Sequence, residues 1–409
     1  MSLNSFSTII EEAFSAGFGA ILKKIMVSEK IRGREAEGEL KGGGDTYNRP
    51  YIGKGVTQAY VDGVGVTKQS HTATNETLSL DQKVVYNITL DYTDFRQQKR
   101  KAKLLLDLTT KAMHQLGTVV DGDFFYRYQD SVFKYGSGGI TTSATTAGFT
   151  LSTSNALSDF GKVKAHLMNY TGGLKSRFWV LDPFHADIIE NAAIGNTWKT
   201  ADAAFANGYV GAFKGYRIYV SNNLTSEVTL TFTDVGVAAE TISFNGSTLT
   251  WIATLGATEG NIHVCDSATN EAINIAAILN TPKTSISEAA GTGYVAFTDS
   301  TNLNNLDGFV ATNPSAGVVL IKCKRGRMTL GSASITNASF GTQVVHSIAG
   351  ELGSIDLAYQ EKGRLFTNES PTDSSGNTML ATERIYLSMY GVKTYKDGAD
   401  RMVDVQINC

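Results

Sequence analysis

The feature that most constrains the fold is a long β-type segment between residues 51 and 94. On its return side Val84, Tyr86, Ile88, Leu90 and Tyr92 share one parity, as in a strand with one buried face. The outgoing side, around residues 56 to 67, is β-prone but broken by glycines. The segment predicts a hairpin of roughly forty residues, longer than most connections within a compact domain. Because a two-stranded hairpin is marginal alone in water, we expect it to lean on something outside its own domain.

A long helix is predicted to follow this hairpin. Its apolar residues recur at three- and four-residue steps: Leu105, Leu108, Ala112, Leu116, Val119, Phe124, Tyr128 and Val132. A basic run stands at its start: Arg96, Lys99, Arg100, Lys101 and Lys103. Cations oppose the positive end of a helix dipole. The run is therefore either a solvated face or a contact with anions, which would be the acids of a neighbouring subunit or phosphate groups.

The first 25 residues predict an amphipathic helix. Its stripe includes Phe6, Ile10, Phe14, Phe18 and Ile21. Such a helix either lies on a membrane or packs on a partner, a sister chain or its own chain; one basic pair is weak evidence for a membrane, so we favour packing. Acidic residues within this stretch also argue against a signal peptide. Residues 28 to 49, charged and then glycine-rich, predict a mobile arm.

Helices and strands alternate in the next part of the chain. A helix is predicted from Ser154 to Tyr170, a strand from Arg177 to Leu181, a helix starting at Pro183, and a β segment ending at Ser221. The alternation predicts a mixed α/β domain. Near the end of the sequence, Val403, Val405 and Ile407 alternate in a last strand.

The composition changes sharply near residue 225. Residues 225 to 321 contain nine acids and one base, which is 1 − 9 = −8, so the rest of the chain carries −3 + 8 = +5. The segment is rich in Thr, Ser and Asn and mainly β-patterned, with a tight-turn signal at Asn245-Gly246 and one short helix from Asn270 to Leu279. We interpret it as a separate β-rich domain inserted into the α/β one.

No pattern in the sequence favours catalysis. The six histidines include no pair at metal-ligand spacing, and the phosphate-loop and nucleophile-elbow motifs are absent. The three cysteines, Cys265, Cys323 and Cys409, are too scattered for a zinc site or a disulfide framework. We therefore predict no catalytic, cofactor-binding or metal-binding residues. The sequence contains no run of 18 apolar residues, so no membrane-spanning helix is predicted.

The order of these parts resembles the major capsid protein of tailed double-stranded DNA bacteriophages. Tyr51 to Asp94 is similar to the extended loop of that family, and Asp94 to Tyr135 to its spine helix. Asn207 to Asn223 and His346 to Gln360 resemble segments of the axial domain. Glu383 to Asp404, with Tyr390-Gly391-Val392, resembles the terminal strands.

The resemblance implies an α+β, HK-97-like capsid fold with an inserted β-rich domain. The expected divisions are an N-terminal arm with an amphipathic helix at 1–49, an extended β-hairpin loop at 50–93, a peripheral domain with the spine helix at 94–153 and 380–409, an axial domain at 154–224 and 331–379, and the insert at 225–330.

The resemblance also implies a structural function and a set of partners. It implies hexamers and pentamers of an icosahedral shell around non-specifically held DNA, assembled in the host bacterial cytoplasm and located in the virion. The basic body would face DNA and the acidic insert the outside. A separate scaffolding protein is implied, and residues 6 to 25 would contact either that protein or a sister subunit. Portal and head-completion proteins are further implied partners. The alternatives are an encapsulin-type compartment shell, a secreted β-rich surface or adhesin protein, and a peripheral membrane protein.

Overall fold

The structure is a computed structural model. It describes residues 26–40, 43–53, 55, 57–66, 68–69, 71, 73–91, 101–143, 147–171, 176–194, 209–213, 215–289, 292–368, 371 and 381–409. The described residues form two compact units. The first contains residues Arg32–Leu116 and Ile355–Lys396, and the second contains residues 26–31, Gly117–Ser354 and Asp397–Cys409.

Both helices and strands are well represented. The helices are α1 Ser28–Ile31, α2 Glu37–Leu40, α3 Lys101–Phe125, α4 Ala156–Thr171, α5 Pro183–Ile194, α6 Ala268–Asn280, α7 Ser300–Asn305 and α8 Lys396–Ala399, with a short 3₁₀ helix at Tyr126–Asp130. The strands are β1 Thr46–Ile52, β2 Ala73–Ser79, β3 Gln82–Asp91, β4 Phe133–Gly136, β5 Gly139–Thr141, β6 Arg177–Leu181, β7 Tyr209–Phe213, β8 Tyr216–Val220, β9 Ser226–Phe232, β10 Thr241–Phe244, β11 Ser247–Ile252, β12 Asn261–His263, β13 Ile286–Ala289, β14 Thr292–Tyr294, β15 Phe309–Ser315, β16 Val318–Cys323, β17 Leu330–Ser334, β18 Ala338–Phe340, β19 Val344–Glu351, β20 Ile355–Asn368, β21 Ala381–Thr394 and β22 Met402–Asn408. The predicted α+β class is confirmed.

The first unit is built on a three-stranded antiparallel sheet in the order β20-β21-β3. One face of this sheet is buried, with Tyr386 and Tyr390 in its interior. The hydroxyl of Tyr386 lies 3.0 Å from that of Thr109 on α3. The sheet is therefore held from one side by the first part of that helix.

The predicted long hairpin is wrong in its pairing. The return strand exists as β3, but β3 pairs along its whole length with β21. A separate ladder joins β1 to β2, and the described residues between 57 and 66 form no strand. The glycine-broken outgoing side offers few side chains to bury, whereas β21 supplies a continuous partner for the apolar face of β3.

The mobile arm predicted for residues 28 to 49 is a packed segment over residues 28 to 40. Ile31, Ala36 and Leu40 are buried. The guanidinium of Arg32 donates to the carbonyl of Leu357 and lies 3.0 Å from the Glu37 carboxylate. Some of the charged residues that suggested a mobile arm therefore form contacts that hold this segment in place.

Helix α3 ends earlier than the predicted spine helix, which continues to Tyr135. The α-helix stops at Phe125, and Phe133–Gly136 forms β4, which pairs in parallel with β22. The Ser131 hydroxyl lies 2.8 Å from the carbonyl oxygens of both Phe133 and Met402 and can donate its proton to either. Pairing with a distant strand therefore overrides the local helical period, as tertiary context commonly does.

The second unit contains an eleven-stranded and a six-stranded sheet. The larger follows the path β15-β16-β9-β19-β22-β4-β5, with β6, β7, β8 and β18 joined beside it. The smaller has the order β13-β14-β12-β11-β10-β17. One apolar core lies around Trp179 and Phe160, and another around Trp251 and Ile275. Strands β9 and β16, from the acidic segment, belong to the same sheet as β19 and β22.

Candidate interaction surface

The connection between β1 and β2 carries exposed apolar side chains. Tyr60, Val61, Val64 and Val66 each expose between 56% and 74% of their surface. Scattered apolar residues on a surface are ordinary, but a contiguous group of this kind marks an interaction site. We name residues 57–66 the apolar loop.

The base of the apolar loop, which consists of β1, β2 and the residues they contact, is fixed in place. Its flanking strands β1 and β2 form a seven-pair antiparallel ladder. The Arg49 guanidinium lies 4.9 Å from the centre of the Tyr395 ring, and the Lys396 ammonium lies 5.1 Å from that of Tyr51. The Glu76 carboxylate accepts a 2.9 Å hydrogen bond from the backbone of Lys396. Cation–π contacts and a partly buried charge-assisted bond thus hold the ladder against the end of β21.

A second carboxylate is buried at the same base. Burial, followed by the nearby Glu35 carboxylate, raises the pKa of Asp356 to about 6. Glu35 itself lies 3.3 Å from Arg49. Burial also raises the pKa of the Tyr395 phenol, with Asp356 as the next cause. The base therefore contains tightly spaced ionisable groups, whereas the tip is apolar.

The three-stranded sheet has one open face with an apolar centre. Side chains directly opposite one another share a face. Val85 lies opposite Leu387, which lies opposite Arg364, and Asn87, Ile385 and Phe366 form the next row. Val85 and Phe366 are exposed, and Ile385 and Leu387 are half-buried.

The rim of this face is polar. Arg364 stacks over Phe366 at 4.9 Å and pairs with Glu361 at 3.1 Å. An apolar centre with a polar rim is the ordinary anatomy of a protein–protein interface. We name this surface, formed by Val85, Phe366, Ile385 and Leu387 with their polar rim, the open sheet face.

The predicted contact residues are not placed on either surface. Phe6, Ile10, Phe14, Phe18 and Ile21 lie outside the described residues, as do Arg96, Lys99 and Arg100. Lys101 and Lys103 fall in the first turn of α3. Their roles as contacts with DNA, a scaffold or a sister subunit stay predictions.

The open sheet face was missed at the sequence level, although part of its signal was present. The alternation in residues 84 to 92 identified the buried parity of β3, so the opposite parity, which includes Val85, had to be the other face. The partner of β3 could not be predicted from the sequence. Val85 and Leu387 are about three hundred residues apart, and turn signals reveal only the pairing of strands that are close in sequence. The apolar character of Ile385 and Leu387 suggested only a terminal strand.

No group of three or more metal-ligating side chains is found in the described part of the chain. Cys265, Cys323 and Cys409 are free thiols. No helix in that part has the length and apolar character needed to cross a bilayer.

Comparison with protein families and with curated proteins gave no match. Solved structures do match. A structure titled Mycobacterium phage Che8 is 12% identical, with a TM-score of 0.48 over 93% of this chain and 90% of that one. The capsid structure of the cyanophage P-SCSP1u is 11% identical, with a TM-score of 0.42 over 88% of this chain and 83% of that one. The mature capsid of bacteriophage PhiM1 is 10% identical, with a TM-score of 0.40 over 89% of this chain and 82% of that one.

Proposed function

We propose that the chain is the structural subunit of an icosahedral phage head, which self-assembles into a shell around double-stranded DNA. One observation carries the proposal: the first unit exposes two different apolar surfaces, the apolar loop and the open sheet face. Surfaces of this kind are a liability for an isolated monomer. They are useful to a protein whose neighbours cover them.

The two surfaces differ in shape, which determines the kind of assembly. A loop that packs on the sheet face of another copy makes a heterologous contact, because two different patches meet. Heterologous contacts generate closed rings where the rotation closes. Hexamers and pentamers of a shell are assemblies of this type. A two-fold dimer would instead require one patch to be complementary to itself.

The remaining assignments belong to the same proposal. A separate scaffolding protein, portal and head-completion proteins, and non-specifically held DNA are the partners that the family resemblance implies. The location is the virion, after assembly in the host cytoplasm. The role is structural and not enzymatic. The divisions at 1–49, 50–93, 94–153 with 380–409, 154–224 with 331–379, and 225–330 are also kept as proposals.

The variant Tyr60→Ser/Val64→Ser tests the role of the apolar loop. Burying a large apolar side chain contributes about 1.5 to 3 kcal/mol, and about 1.4 kcal/mol corresponds to a tenfold change in an association constant. We therefore expect the variant to need at least tenfold higher concentration to assemble. Mass photometry and light scattering measure this. Thermal unfolding of the single chain should be unchanged, because both side chains are exposed.

Lys68→Ser is the matched control, since it changes an exposed polar residue of the same connection. It should assemble like the unaltered chain. Assembly of the double variant at the unaltered concentration would remove the apolar loop from the proposal.

A further inference from the structure

A partly buried chain of four charges crosses the second unit where β16, β9, β19 and β22 lie side by side. The Lys322 ammonium is 3.3 Å from the Glu227 carboxylate. Glu227 is 3.5 Å from Nε2 of His346, and Nδ1 of His346 is 3.0 Å from the Asp404 carboxylate. The four groups alternate in sign when His346 is protonated, so each charge has an opposite neighbour. We name these residues the charge chain.

His346 is the central member of the charge chain, and its surroundings are well defined. Its imidazole stacks on the Tyr128 ring with centres 3.8 Å apart. The groups facing it are Asp404 from β22, Glu227 from β9 and Tyr128 from the 3₁₀ helix, with Lys322 of β16 beyond Glu227. The Gln406 amide donates to Asp404 at 3.0 Å, which fixes that carboxylate.

The electrostatic balance favours the charged form of His346. Burial lowers the pKa of its imidazole, but Asp404 and then Glu227 raise it, and the result is a pKa of about 9. For Glu227, burial raises the pKa, but His346 and Lys322 lower it to about 2. Both groups are therefore ionised at neutral pH.

Of the neighbouring strands joined by this chain, β9 and β19 are only briefly paired. The ladder between β9 and β19 has two residue pairs, Glu227 with Val344 and Ser226 with Val345. The ladder between β9 and β16 has six. The residues that hold the acidic segment against β19 are thus few, and Glu227 is one of them. Because this junction is so short, the attraction between the charges of His346 and Glu227 makes up a large part of the interaction that holds β9 beside β19.

The charge chain is accessible to solvent at one end. A cavity of about 340 Å³ is lined by Glu227, Thr229, Thr342, Val344 and Asn408, among others. The Glu227 side chain keeps 27% of its surface exposed, whereas those of His346 and Asp404 are almost fully buried. Solvent therefore reaches the acid that bridges Lys322 and His346, which gives protons a route to the chain.

We propose that the charge chain is a pH-sensitive clamp, in which the His346 imidazolium holds β9 to the sheet beside β19 and its deprotonation releases that strand. A neutral imidazole would leave Glu227 and Asp404 without the cation between them. The inference concerns the second unit alone and does not depend on the proposed shell function.

The direction of the pH dependence follows from the raised pKa. An unfolded histidine has a pKa of 6.5, and the folded value lies above it. The stabilisation is therefore complete below pH 6.5 and is lost as the pH rises through about 9. Lowering the pH keeps His346 protonated, so acid should not release β9 until Glu227 is protonated.

Amide hydrogen exchange of the full chain tests the clamp, with rates corrected for the intrinsic effect of pH. Between pH 7.5 and 10, protection of β9 should fall at least tenfold relative to β8, which serves as an internal reference. His346→Gln should show the same loss already at pH 7.5 and no further change to pH 10. His71→Gln, which alters an exposed histidine of the other unit, should behave like the unaltered chain.

A second measurement covers the case in which His346→Gln does not fold. Glu227→Gln removes one of the two acids, so the NMR titration of His346 and the release of β9 should both move to lower pH. Constant protection of β9 from pH 7.5 to 10 in the unaltered chain would overturn the proposal. So would an unchanged His346 titration in Glu227→Gln.

Discussion

At the scale of the residue, two of the nine acids between residues 225 and 321 are internal: Glu240 and Glu271 are both buried. Glu271 accepts hydrogen bonds from the backbone of Gly236 at 3.0 Å, the backbone of Cys265 at 2.9 Å and the indole of Trp251 at 2.7 Å. These partners lie up to 35 residues away, so composition could not separate this internal carboxylate from surface ones.

Glu271→Ala is expected to destabilise the second unit strongly. The substitution leaves three buried donors without their acceptor, and each such loss costs about 1 to 3 kcal/mol. We expect a decrease of at least about 3 kcal/mol in the free energy of unfolding, measured by urea denaturation with tryptophan fluorescence. Asp234→Ala is the control, because among the described residues that exposed carboxylate accepts a hydrogen bond only from its neighbour Val235, and its effect should stay within about 0.5 kcal/mol. Equal stabilities of the two variants would contradict the role of Glu271.

At the scale of the element, local signals predicted the structure well where partners are close in sequence. The strand at Arg177–Leu181, the helix starting at Pro183 and the helix covering Asn270 to Leu279 are all present. The Asn245-Gly246 turn joins β10 to β11 with φ of 51° and 94°, as a tight hairpin turn requires. The predictions failed for the partner of β3 and for the end of α3, because β21, which pairs with β3, and β22, which pairs with β4 just after α3, come from the far end of the sequence.

Gly391 controls the contact between β2 and β21. A Cβ atom at this position would lie 2.2 Å from the backbone oxygen of Ser79, so Gly391→Ala must push β2 away. Overpacking of this kind costs about 1 to 3 kcal/mol. We expect faster proteolysis and faster amide exchange of β1 and β2. Gly38→Ala is the control, since no atom beyond its chain neighbours and its own helix backbone lies within 4 Å of the added methyl group, and it should leave both rates unchanged. Unchanged proteolysis and amide exchange of β1 and β2 in Gly391→Ala would show that β2 does not pack on β21.

At the scale of the whole molecule, we infer that the apolar loop and the open sheet face are covered only when the chain contacts other copies of itself. The resemblance in the order of the parts predicted a loop exposed for neighbours, and the apolar loop is exposed. The receiving surface could not be predicted, since it consists of side chains from three strands that meet only in the folded sheet. Size and symmetry of an assembly depend on the angles between copies, which no single chain encodes in a local pattern.

Electron microscopy of the full chain, produced alone and together with a separate scaffolding protein, tests this claim most directly. We predict closed icosahedral shells in at least the preparation with the scaffold, with the apolar loop of each copy covered by a neighbour. Monomers and small oligomers alone, in both preparations, would contradict it.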